Sequence, residues 1–295
     1  VSSDPNPLDP RSSDLSAPDP FDPRGLSFTA VDEPGPGQRW STWHDVVALS
    51  RGPEPRPGWV VTTHAAWDTD LGPLKSGKEA DCRLLERAVP GSLPGDTGSH
   101  SLLVAKTYRD AEHRLFHRKA TYVEGRRTRN SRDARAAAKG TRHGQAVAAG
   151  QWAGAEWEAL YRLWQLGVPV PYPVQVDGLE ILMEYVHVDG DVAPRLASTR
   201  PEPDLLRSVW EQLIEAMGRM AAAGLVHGDL SPYNLLLAGD RLVVIDVPQM
   251  VDLVANPLGF DLLHRDCVNA ATWFVRRGLP VDADALFAEL VATAY

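Results

Sequence analysis

The stretch LVHGDLSPYNLLL, Leu225 to Leu237, constrains the fold more than any other part of the chain. Apolar runs on both sides anchor it between buried elements, and Asp229 and Asn234, five positions apart, must leave one tight loop together. An amphipathic helix leads into it, with Leu206, Val209, Trp210, Leu213, Met217 and Met220 on one face, Asp204 as the expected N-cap and Gly224 as the stop. Behind it, NLLLAGDRLVVIDVPQ reads as a hairpin turning at Gly239 and Asp240, which delivers Asp246 where the second strand ends.

Upstream, SLLVAKTY (Ser101 to Tyr108) has the length and side chains of a buried strand, with Lys106 inside it. A long Arg-rich connection follows. Gln145 to Leu166 then reads as a helix, because Trp152, Ala155, Ala159 and Leu163 recur at three- and four-residue intervals; Gly167 and the prolines at 169, 171 and 173 end it. LEILMEYV (Leu179 to Val186) is expected to form a strand running into a linker. Residues 1–57 are rich in Pro and Asp and poor in large apolar side chains, so a disordered tail is expected, with at most a short helix at TWHDVVALS.

Transfer of a terminal phosphoryl group from ATP needs a base for the acceptor, metal ligands, and a cation held on the phosphates. Asp229 suits the base, Asn234 and Asp246 the magnesium ligands, and Lys106 the cation. Glu156 shares the helical face of Trp152, Ala159 and Leu163, so it points inward and needs a buried cation, whereas Glu158 is placed to pair with Arg162 on the surface. Glu156 is therefore the expected partner of Lys106. His227 reads as a loop brace, since Asp229 already supplies a base. A phosphate-covering loop should precede Lys106, and LKSGKEADCRLLERAV (Leu74 to Val89) is the candidate, with Ser76, Gly77 and Lys78 as donors.

Composition narrows the classes. A chain of 295 residues, 43% hydrophobic, suffices for one two-lobed domain or two small ones. Cys82 and Cys267 stand far apart without metal-ligand spacing, so neither a disulfide framework nor a zinc site is indicated and a reducing cytoplasm is expected. No apolar run approaches the roughly 18 residues of a membrane span. A net charge of -9 argues against general nucleic-acid affinity, yet residues 105–145 carry about twelve Lys and Arg against about four Asp and Glu. That segment is a solvated loop or a contact for RNA phosphates or an acidic partner.

From about Gly58 to the carboxyl end the sequence resembles the RIO-type atypical protein kinases. SGKEAD (Ser76 to Asp81) is similar to the family's phosphate loop, LVAKTY to its Lys strand, and AEWEALYRLWQLGVPVPYPV to its Glu helix and following turn. ILMEYV resembles the hinge, HGDLSPYN the catalytic loop and IDVPQMVD the metal segment, while Val247 stands where the family usually has Phe. The resemblance implies an α+β, two-lobed protein-kinase-like fold, with an N-lobe over about 58–184 and a helical C-lobe over about 185–295 that is short for a kinase. It gives Lys106, Glu156, Asp229, Asn234 and Asp246 the roles above and sets Met183, Glu184 and Tyr185 against the adenine. It also implies ATP and Mg as cofactors and a protein Ser/Thr acceptor or the chain itself. In that family the metal Asp can accept a phosphoryl group, and members are linked to ribosome maturation as ATPase switches, which makes a ribosomal particle or RNA a candidate partner of the 105–145 segment.

Two other functions remain open at this level. A small-molecule kinase resembling the aminoglycoside phosphotransferases also uses a His-Gly-Asp loop, although SGKEAD and the Pro-Gln after Asp246 disfavour it. A nucleotide-gated binding factor, with little transfer to any acceptor, draws modest support from the basic segment.

Overall fold

A computed structural model of the chain describes residues 33–77, 79–109 and 142–294. Lys78 and most of the Arg-rich connection, residues 110–141, therefore lie outside the described residues, as do residues 1–32. One body begins at Pro34.

Its first layer is a six-stranded sheet. The strands are β1 (Gln38–Trp40), β2 (Trp67–Ser76), β3 (Ala80–Ala88), β4 (His100–Tyr108), β5 (Pro173–Asp177) and β6 (Glu180–Glu184), ordered β1-β2-β3-β4-β6-β5 with antiparallel pairing throughout. The expected buried strand, β4, alternates in burial: Ser101, Leu103 and Ala105 are covered, Leu102, Val104 and Lys106 between and beyond them are partly exposed, and Tyr108 at its end is buried. That alternation is what gives Lys106 an open side to face.

Between β4 and β5 lies α1 (Arg142–Gln165). Ala149, Ala153, Trp157, Ala159, Leu160 and Leu163 are buried, so Ala159 and Leu163 of the expected face are covered, Trp152 only partly, and the stripe contains Glu156. Glu158 is exposed, and Arg162 donates to the carbonyl of Ala223 rather than forming the expected surface pair.

After β6 come the short hairpin β7 (His187–Val188) and β8 (Asp191–Val192), and then α2 (Pro203–Ala222). Leu206, Val209, Leu213, Met217 and Met220 are buried, with Trp210 partly covered, so the sequence placed the face correctly. The N-cap is Glu202 instead of Asp204, because Pro203, which lacks the N–H an N-terminal turn leaves unpaired, occupies the first helical position. Gly224, at φ +69°, follows the helix end.

The chain then runs through β9 (Leu225–Val226), the catalytic-loop candidate, and the hairpin β10 (Leu235–Ala238) and β11 (Arg241–Val244). It continues through β12 (Val251–Asp252), which pairs with β9, to α3 (Gly259–Val275) and α4 (Ala283–Thr293). One apolar cluster joins α1, α2, α3 and α4 beneath the loop, with Val247 fully buried in it. A second, smaller cluster lies on the outer face of the sheet.

The expected tail boundary at residue 57 is wrong. Residues 34–57 fold against the sheet as β1 and two 3-10 turns, Thr42–His44 and Ala48–Ser50, where a helix was expected. Trp43 is 2% exposed, and Arg51 donates to the carbonyls of Trp43, His44 and Val46. A single buried aromatic ring and polar ties order a stretch whose apolar content alone looked insufficient.

Candidate active site

Four elements converge at one end of the cleft beneath the sheet. β4 supplies Lys106, α1 supplies Glu156, the loop after β9 supplies Asp229 and Asn234, and the end of β11 supplies Asp246. The Lys106 ammonium lies 2.6 Å from Glu156 Oε1 and 3.3 Å from Asp246 Oδ1. Glu156 is 2% exposed, and its second oxygen accepts a hydrogen bond from the hydroxyl of the buried Tyr108. Burial opposes the charge on Lys106, but Glu156 and Asp246 outweigh it, and the ammonium is held above its ordinary pKa. Burial likewise opposes the charge on Asp246, yet Lys106 keeps its carboxyl below the ordinary value. Lys106 thus stays a fixed cation with a carboxylate on either side.

Asp246 has a left-handed backbone, φ +63°. Such a conformation costs a non-glycine residue on the order of 1 kcal/mol and collects where surrounding structure imposes it. Here Val247 is sealed in the core, and Ile245 donates its N–H to the carbonyl of Asn234 at 2.9 Å. The carboxylate between them is left half exposed toward Lys106.

The loop is braced from within and from below. Asn234 Nδ2 donates to the main-chain carbonyl of Asp229 at 2.8 Å, which ties the base candidate and the metal-ligand candidate together. Asn234 Oδ1 and the Asp246 carboxylate are hard oxygen donors, the set Mg²⁺ takes together with phosphate oxygens and water. His227 is the brace expected of it: it is buried, its Nε2 contacts the Ile245 carbonyl at 3.2 Å, and its Nδ1 accepts the Asp229 N–H at 3.3 Å. Burial pushes its pKa below the ordinary 6.5. A depressed histidine contributes stability that is present above the unfolded value and lost as pH falls from there through the folded value. His227→Gln should therefore lose more thermal stability against the native chain at pH 7 than at pH 5. A thermal-melting difference that is equal at both pH values would contradict this.

Two groups were not legible as site residues. Asp266 of α3, 1% exposed, accepts the N–H of Gly228 at 2.8 Å on one oxygen and that of Leu230 at 2.9 Å on the other, so it grips the main chain on both sides of Asp229. Burial pushes its carboxyl up to about 7 in spite of those donors. Gly228, at φ +80°, is needed there, since a Cβ would lie 3.0 Å from the Gln249 carbonyl oxygen. Lys75 is the second. The register sets Lys75 opposite Cys82 and Cys82 opposite Lys106, so all three share one face, and the Lys75 charge adds to the field that holds Asp246 ionised.

The phosphate-loop candidate is the hairpin turn between β2 and β3. Two of its three expected donors are committed: the Ser76 hydroxyl donates to Asp81 at 2.6 Å, and the Gly77 N–H donates to the Ala80 carbonyl at 3.0 Å. Arg109 ties Asp81 and Ser76 together and holds the Asp81 carboxyl down to about 2. At the end of β6, Met183 and Tyr185 are buried, whereas the Glu184 carboxylate is engaged by the Tyr172 N–H at 3.1 Å and by Arg241 at 3.0 Å. Glu184 can meet an adenine only through its main chain.

Residues 104–286 match the RIO domain family. This chain belongs to that family. Over 216 residues the RIO chain is 38% identical to the RIO-type serine/threonine-protein kinase Rio1 of Haloferax volcanii, covering 73% of this chain and 67% of that one. It is 40% identical over 134 residues to the serine/threonine-protein kinase RIO3 of Caenorhabditis elegans, covering 44% of this chain but 26% of that much longer protein. The fold is shared with solved structures of the Rio2 kinase from Chaetomium thermophilum. One matches with a TM-score of 0.51 at 22% identity, over 76% of this chain and 63% of that one. An ADP/Mg²⁺-phosphoaspartate complex of the same kinase matches at 0.50, over 74% and 59%. The expected α+β, protein-kinase-like fold is the one observed. No helix among the described residues is long and apolar enough to cross a membrane.

Proposed function

We propose that this RIO protein is an ATP- and Mg-dependent phosphotransferase, acting on a protein Ser/Thr hydroxyl or on itself. The observation that supports the reading most is the Lys106 ammonium held at once by Glu156 at 2.6 Å and Asp246 at 3.3 Å, above a loop that carries Asp229 and Asn234 on one brace. Lys106 holds the phosphates, and Glu156 keeps it extended from the sheet toward them. Asp229 accepts the proton of the attacking hydroxyl as its oxygen bonds to the terminal phosphorus and the bond to the departing ADP breaks. Asn234 and Asp246 hold magnesium, which when bound neutralises charge on the phosphate oxygens. Met183 and Tyr185 line the adenine position together with the Glu184 main chain. The turn at Ser76 and Gly77, with Lys78, covers the phosphates once its internal bonds exchange for bonds to phosphate oxygens.

Asp246 is itself a candidate acceptor, since its carboxylate already stands 3.3 Å from the cation that would hold the phosphates. Incubation with labelled ATP and magnesium, followed by mapping of the label, separates the outcomes. Phosphate on Ser or Thr supports a kinase, and an acyl phosphate at Asp246, discharged by hydroxylamine, supports a self-modifying ATPase cycle. No nucleotide turnover and no label would overturn the proposal.

A further inference from the structure

The segment between β1 and β2, expected in part to be disordered tail, packs behind the two elements that carry Lys106 and Glu156. On the sheet side, Trp43 packs in the outer cluster with Leu85, Leu103, Ala105 and Leu182. Leu103 and Ala105 lie on the face of β4 opposite Lys106, so the ring belongs to the cluster that backs the strand carrying the lysine. On the helix side, the indole Nε1 of Trp157, the residue after Glu156, donates to the Leu49 carbonyl at 3.3 Å. About two turns further on, Trp164 packs edge-on against Tyr172, with ring centroids 4.9 Å apart, and the Tyr172 hydroxyl donates to the Pro53 carbonyl at 2.9 Å.

The segment is itself fixed in shape. Arg51 gathers the carbonyls of Trp43, His44 and Val46, and its guanidinium and that of Arg56 lie 5.4 and 5.2 Å from the Trp43 ring. Gly52 donates its N–H to the Val174 carbonyl at 2.8 Å, in a contact so close that a Cβ would lie 2.0 Å from the Pro173 oxygen. Gln175, at the far edge of the sheet, reaches Thr42 at 2.7 Å. A rigid piece of chain that bears on the lysine strand and on the glutamate helix sets the distance between them, because α1 meets β4 directly through that ion pair and Tyr108.

We propose that residues 41–57 are a clamp that positions Glu156 against Lys106 and so sets the affinity for the phosphates of ATP. These are positioning residues: none of them reaches Lys106, Glu156 or Asp246. The proposal rests on the assignment of Lys106 and Glu156 to the nucleotide, and the native chain tests that assignment separately. If the native chain does not bind MgATP, the functional reading fails; if it binds and the clamp variants bind equally well, only the clamp fails.

Two variants make the test. Trp157→Phe removes the N–H to Leu49 while keeping a ring in the core, and Arg51→Met releases the three carbonyls while keeping the length of the side chain. Either should raise the dissociation constant for MgATP in calorimetric titration by roughly tenfold, about 1.4 kcal/mol. A merely structural role would weaken binding by the same factor whatever occupies position 106. The clamp predicts otherwise: in a Lys106→Met background the same changes should add less than twofold, because the pair they position is gone. Equal effects in both backgrounds, or unchanged affinity in the first, would overturn it. Melting temperatures measured alongside identify a variant that is unfolded at the assay temperature; should Arg51→Met be one, the Trp157→Phe cycle alone decides.

Discussion

Asp229→Ala is expected to lower phosphoryl transfer by roughly 10²–10⁴-fold while leaving ATP binding nearly unchanged, the range that loss of a positioned general base spans. The expectation is sharp because the loop around Asp229 does not depend on its carboxylate. Its main-chain N–H goes to His227 Nδ1, its carbonyl accepts from Asn234, and its neighbours Gly228 and Leu230 are held by Asp266. The substitution therefore removes the proton acceptor and leaves the scaffold standing. Single-turnover transfer and MgATP titration on the same preparation check both halves. Transfer at the native rate would remove Asp229 from the mechanism, and a large loss of affinity would mean that the residue binds nucleotide instead.

What the sequence revealed of this site, it revealed where local pattern and chemistry coincide. The α2 face, the turn at Gly239 and the end of the following strand each obey a short-range rule, so Asp229, Asn234 and Asp246 fell into place by position along the chain. Glu156 was found by helical phase: a carboxylate on an apolar face needs a cation, and a strand lysine was available. The clamp residues obey no such rule. Trp43 and Gly52 are ordered against Ala105, Val174 and Tyr172, and Arg51 bridges to Gln175, all more than fifty positions away, and their own neighbours are mostly proline and polar residues. Ser76 and Gly77 illustrate the converse. Their type and spacing announced donors, but the turn pairs those groups internally. Lys75 needed the cross-strand register, which two irregularities in β2 displace from any simple count.

Asp266 is the least legible of all and carries the second large expectation. In the sequence it is one carboxylate in the helix GFDLLHRDCVNAATWFV, and helices of this kind usually show such groups to water. In the structure it is buried under the loop and serves both amides that flank the base. Asp266→Ala leaves those two N–H groups without their acceptor, at about 1–3 kcal/mol each, so a loss of about 2–6 kcal/mol in urea unfolding is expected. Asp266→Asn, which keeps one acceptor oxygen, should fall between the two. Wherever the alanine variant remains folded, turnover should drop more than ATP affinity, because Gly228 and Leu230 hold Asp229 and not the phosphates. An alanine variant as stable and as active as the native chain would show that the loop keeps its shape without α3, and the coupling drawn here between helix and base would be wrong.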